Sequence, residues 1–268
     1  LGPGVGALLV LAVLGSVGFE SAVVFSEESR HPNRTVPLAT YLSVGLIAAL
    51  YMFASWAMTV AVGPDRIVGV AREQGTEVIF TLARAQLGPA AATTGHALFA
   101  TSLLAAMIAF HNTTSRYMYA LGREGVLPQR WGRTSAATGA PHIASLTQSA
   151  LGLVVIVVFA VAGWDPLVTL FYRAGTGGGL GVLLLIAATS ISVVVFFARH
   201  RAGGGWWRRR VAPILAMLAL QVVVLLALGN VDTLLGVPPD HALVWAIPAT
   251  FGLAGVLGFG WGLMLRVT

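Results

Sequence analysis

Seven stretches of this chain are long and apolar enough to cross a bilayer: residues 5–25, 36–62, 93–120, 142–161, 178–198, 211–228 and 243–264. A hydrocarbon core about 30 Å thick takes roughly 17 to 25 residues of helix, so each stretch suffices for one passage. In lipid the backbone has no water to bond to. Every peptide group must then pair within its own helix or in a closed barrel. None of the stretches alternates as barrel strands do. The expectation is an all-α membrane protein: a single transmembrane bundle of seven transmembrane helices over residues 1–268. Only 10% of the residues are charged, against roughly 25% in water-soluble domains.

The charges that remain are informative by position. All 16 basic residues are arginine and the net charge is +6. The excess is not a nucleic-acid footprint, because the arginines fall between the apolar stretches and read as topology signals. Connections on one side carry Arg30, Arg34, Arg116, Arg123, Arg130, Arg133, Arg199, Arg201, Arg208, Arg209, Arg210 and Arg266; the other side has Arg66, Arg72, Arg84 and Arg173. The positive-inside rule puts the first group in the cytoplasm. The expectation is a multi-pass protein of the plasma or inner membrane, with residue 1 outside and the C-terminus inside. A chain without lysine has no Walker-A lysine and no Schiff-base lysine, and one without cysteine has no thiolate nucleophile and no disulfide. The histidines show no metal spacing. No enzyme, metal or cofactor is expected.

One acid lies where it is costly. Glu20 sits inside the first apolar stretch, where a charge costs about 3 kcal/mol on insertion scales. Gly15 and Gly18 precede it, each weakening a helix by about 1 kcal/mol. An interrupted helix beside a buried charge is how transporters form a binding site near the bilayer midplane. A second polar group, His111-Asn112-Thr113-Thr114-Ser115, spreads over more than one face of the third stretch and is a candidate cavity lining. The run Gly175-Thr176-Gly177-Gly178-Gly179-Leu180-Gly181 fits no dinucleotide-binding pattern and reads as close helix packing or a flexible helix start, and Gly258, Gly260 and Gly262 read the same way. Thr76–Leu87 reads as a short amphipathic helix in the loop after the second stretch.

Two segments resemble a known family. Gly18-Phe19-Glu20-Ser21-Ala22, followed by Glu27-Glu28-Ser29-Arg30-His31-Pro32-Asn33-Arg34-Thr35-Val36-Pro37, is similar to the sixth helix and following loop of the amino acid, polyamine and organocation transporter superfamily. Ser115-Arg116-Tyr117-Met118-Tyr119-Ala120-Leu121-Gly122-Arg123-Glu124-Gly125-Val126-Leu127-Pro128, continued by Gly139-Ala140-Pro141, resembles its eighth helix and the loop beyond. The resemblance implies helices six to twelve of a five-plus-five fold: the second inverted repeat with two appended helices, the first five helices preceding Leu1. It implies an amino acid permease, a secondary active transporter of an amino acid or related amine, with H+ or Na+ as possible coupling ion. By the same resemblance Gly15, Ser16, Val17 and Gly18 form the unwound segment that meets the substrate's amino group. Glu20 is then its flanking acid and Phe110 a cavity-facing aromatic, with Asn112 beside it. Leu14 stands where some members carry an aromatic gate. The rival reading is a heptahelical membrane receptor, which span count alone permits.

Overall fold

The computed structural model describes residues 4–200 and 205–267, with no strand among them. Arg201 lies outside the described residues, as does the side chain of Arg266. Along the chain run α1 (Val5–Leu14), α2 (Ser21–Val24), α3 (Pro32–Val62), α4 (Ile67–Gln74), α5 (Val78–Leu87), α6 (Pro89–Arg123), α7 (His142–Val161), α8 (Gly175–Arg199), α9 (Ala212–Leu228), α10 (Val231–Leu235) and α11 (Leu243–Val267). Short 3-10 turns occupy Ser26–Glu28, Gly75–Glu77 and Gln129–Gly132, and π-helical turns Pro166–Ala174 and Trp207–Val211 lead into α8 and α9.

Six of the described helices are long and apolar enough to cross a membrane: Pro32–Val62, Pro89–Arg123, His142–Val161, Pro166–Arg199, Trp207–Leu228 and Leu243–Leu265. The first predicted stretch is built differently. Its helical part is the ten-residue α1, followed by turns and the four-residue α2. Elsewhere the apolar stretches recover the helices, with extensions whose causes are local. α3 and α6 start several residues before the apolar stretch because Pro32 and Pro89 occupy the first helical turn, where a fixed φ helps and the missing N–H is not needed. The π turn before α8 is capped by Asp165, whose Oδ1 accepts from the Val168 N–H at 2.6 Å.

The chain divides into two compact units, residues 1–17 with 152–268, and residues 18–151. In the first, Ala7 and Val10 of α1, Leu180, Leu183 and Ala187 of α8, Val223, Val224 and Ala227 of α9 and Leu234 of α10 form a buried core. Lipid gives no hydrophobic drive to such contacts, so they depend on close approach and dispersion, which small residues allow. The glycine run supplies that approach. A Cβ on Gly179 would lie 3.2 Å from the Leu14 side chain, and one on Gly181 would lie 2.6 Å from the Phe251 ring. Gly258, Gly260 and Gly262 of α11 differ, since a Cβ there meets nothing within 4 Å. Close packing is thus seen at Gly177, Gly179 and Gly181, whereas Gly175 and Gly178, like the second group, meet nothing within 4 Å.

In the second unit the loop helix α5 lies against the start of α6, burying Val78, Phe80 and Ala92. No residue of α3 is buried, and its exposed Leu46, Phe53 and Trp56 are suited to an apolar surrounding. At the other end of α6 two backbones touch. A Cβ on Gly122 would lie 2.6 Å from the Gly132 amide nitrogen, and one on Gly132 would lie 2.7 Å from that of Arg123. Backbone cannot swing aside as a side-chain tip can. Gly122→Ala and Gly132→Ala are each expected to destabilise the chain by about 1 to 3 kcal/mol. Gly258→Ala should leave it unchanged or slightly better. Thermal unfolding of the three purified variants in detergent checks the contrast.

Candidate substrate-binding site

The helical ladder stops at the glycines. The Gly15 N–H still reaches the Leu11 carbonyl at 2.8 Å, but Ser16 and Val17 bond only three residues back, to Val13 at 3.0 Å and Leu14 at 3.1 Å. Ser16 Oγ donates to the Ala12 carbonyl at 3.0 Å. This tightening is how a helix closes its last turn. Gly18 then takes φ +117°, a conformation that a side chain would strain. The Gly18 N–H is taken by Glu20, whose Oε2 accepts it at 2.8 Å, while the Gly18 carbonyl accepts from the Ser21 N–H at 3.1 Å. The half-buried carboxylate thus satisfies the N–H freed at Gly18 and makes no capping bond to the N–H groups of α2.

The polar cluster on α6 divides into members that join helices and members that do not. Thr113 and Ser115 are buried. Thr113 Oγ1 donates to Ser21 Oγ of α2 at 3.3 Å, His111 Nε2 lies 2.8 Å from Ser145 Oγ of α7, and Ser115 Oγ donates back to the His111 carbonyl at 2.7 Å. Phe110 and Asn112 are exposed on α6. Asn112 makes no hydrogen bond to Gly18 or Glu20 among the described residues. Of the predicted site residues, Gly18 and Glu20 are therefore directly joined. Gly15, Ser16 and Val17 form the turn that ends α1, and Phe110 and Asn112 stand on α6 within a turn of Thr113.

Sequence reasoning missed a group just beyond α2. Arg116 and Arg123 were read as topology charges in a connection, yet both lie on α6, seven residues apart and so on one face. Arg123 makes a forked pair with Glu27, Nη2 to Oε1 at 2.7 Å and Nη1 to Oε2 at 3.2 Å. Arg116 pairs with Glu28 and lies 4.3 Å above the centre of the Phe25 ring. The pairs border a recess of about 440 Å³ that Tyr117, Thr134 and Pro141 also line. The signal was present as two adjacent acids in one quoted segment and two arginines in the other, but nothing local says that they meet.

The Arg123 hydrogen bond and its charge hold the Glu27 carboxyl below the usual carboxylate range, against a small opposing effect of burial. A carboxyl that is more acidic folded than unfolded stabilises the fold above its unfolded value, and that contribution is lost as pH falls through the folded one. Native chain and Glu27→Gln should therefore differ in melting temperature at pH 7, the native higher, and converge in acid. Melting curves at pH 7 and pH 3 measure it.

With this geometry in hand, the comparisons are specific. The amino acid permease family model matches residues 1–257. Comparison with curated proteins and with solved structures gives no match. A match over nearly the whole length sets the receptor reading aside and makes the chain a membrane transporter rather than an enzyme. The chain belongs to the amino acid permease family, within the amino acid, polyamine and organocation superfamily.

Proposed function

We propose that this permease carries an amino acid or related amine by alternating access, as a secondary active transporter, with the substrate held at the interruption from Gly15 to Glu20. The observation that carries the reading is the broken ladder itself. At the end of α1 the helix dipole leaves about half a negative charge where the chain departs from the helical path, a fit for an ammonium group. Glu20 adds a carboxylate whose position is set by the Gly18 N–H. By the family resemblance, Phe110 and Asn112 of α6 contribute to the same site. H+ or Na+ supplies the driving force. In this reading the chain is helices six to twelve, and five further spans complete the site.

Glu20→Gln keeps the size and the hydrogen-bonding capacity of the side chain and removes its charge. Expressed with the five preceding spans, this variant should reach the membrane in native amounts while radiolabelled amino acid uptake, or its dependence on external pH, changes at least severalfold. Uptake kinetics that match the native protein across pH would make Glu20 a structural acid only.

The arginine distribution supports an outside start and a cytoplasmic end. The chain has no cysteine, so single cysteines report cleanly. An impermeant thiol reagent applied to intact cells should label Gln74→Cys, at the end of α4, and leave Ser135→Cys, between α6 and α7, unlabelled. The reverse pattern inverts the topology.

A further inference from the structure

His96, near the start of α6, faces an acceptor at each ring nitrogen. Nδ1 lies 2.8 Å from the Ala92 carbonyl oxygen of its own helix, and Nε2 lies 3.2 Å from Glu77 Oε2. A neutral imidazole has one N–H, so it serves one of these acceptors and turns a lone pair on the other. Only the imidazolium, with two N–H groups, makes both contacts as hydrogen bonds. The ring is held for that role. It stacks on Phe80 with centroids 3.9 Å apart and planes 22° apart, and Phe80 is buried and meets Phe99 edge-on. Gly95 leaves room for this, since a Cβ there would lie 3.2 Å from the Phe80 ring. A cation over an aromatic face gains attraction that a neutral ring lacks.

Glu77 and Phe80 belong to the loop between α3 and α6, Glu77 as the residue that precedes α5 and Phe80 within its first turn. We propose that His96 is a proton-binding site whose occupation clasps the loop helix α5 to α6 and whose vacancy releases it. The elements packed against α5 bring few other charges to this point. Arg84 of α5 borders the same recess and opposes the imidazolium at longer range, while Arg66 borders a separate recess beyond Thr81. Asp65, Arg72 and Glu73 border neither. The sign follows from the partner. The clasp is closed where imidazolium faces carboxylate and opens as the proton leaves. The proposal is independent of which substrate the permease carries.

Amide deuterium exchange of the purified chain in detergent, corrected for the intrinsic pH dependence of exchange, tests it on residues 78–87. Protection should be roughly threefold higher at pH 5.5 than at pH 8, the ratio expected of a partly exposed ion pair. Glu77→Gln and His96→Gln should each abolish or invert that difference. Glu77 is largely exposed, so its variant retains the fold even if the His96 change disturbs packing on Phe80. Protection in the native chain that does not favour acid, or an acid-favoured difference that survives in either variant, overturns the proposal.

Discussion

A peptide group in lipid that leaves its helix must find another partner nearby, and Gly18 is where this chain meets that demand. The N–H released there bonds not to a helical carbonyl but to a side chain two residues on, which supplies the acceptor. The acid that is costly in an apolar stretch and the break that is costly to the backbone stabilise each other. Around that pair the neighbouring details fall into order: the tightened bonds at Ser16 and Val17, the short α2, and the Thr113 hydroxyl that reaches Ser21.

Helix packing in the two units uses different means for one end. In the unit containing α8 and α9, glycine and alanine let whole helices approach, and the contacts are almost wholly apolar. In the unit containing α6, polar groups carry the long-range ties: Thr113 to Ser21, His111 to Ser145, and the arginines to Glu27 and Glu28. A hydroxyl or imidazole within a span has few alternatives to a partner on the next helix. Such ties are individually modest, near 1 kcal/mol, but directional. They fix which face of α6 meets α2 and α7, something apolar packing in lipid specifies weakly.

Much of the fold was legible because it is local. Hydropathy over some twenty residues locates a span whatever its neighbours are, and α7 was read from His142 to Val161 without error. The loop helix expected at Thr76–Leu87 is α5, two residues shorter at its start because Gly75–Glu77 forms a 3-10 turn. The break at Gly15 to Gly18 was legible for the same reason, since glycine weakens a helix wherever it stands. The π-helical entries to α8 and α9 escaped, as they do not alter the hydropathy from which spans are read.

What the sequence determined by itself was the solvent, the helices and the interruption beside Glu20, because burial in lipid constrains each segment separately. Tertiary structure decided which distant residues meet. Glu27 and Arg123 are 96 positions apart, and an arginine that pairs with an acid has the same local signature as one that only marks a cytoplasmic loop. Gly122 and Gly132 are likewise ordinary glycines until two backbones come within contact distance. His96 was one scattered histidine among six until the fold set a carbonyl and a carboxylate against its two nitrogens. Pairing of this kind depends on geometry between segments, which no window along the chain contains.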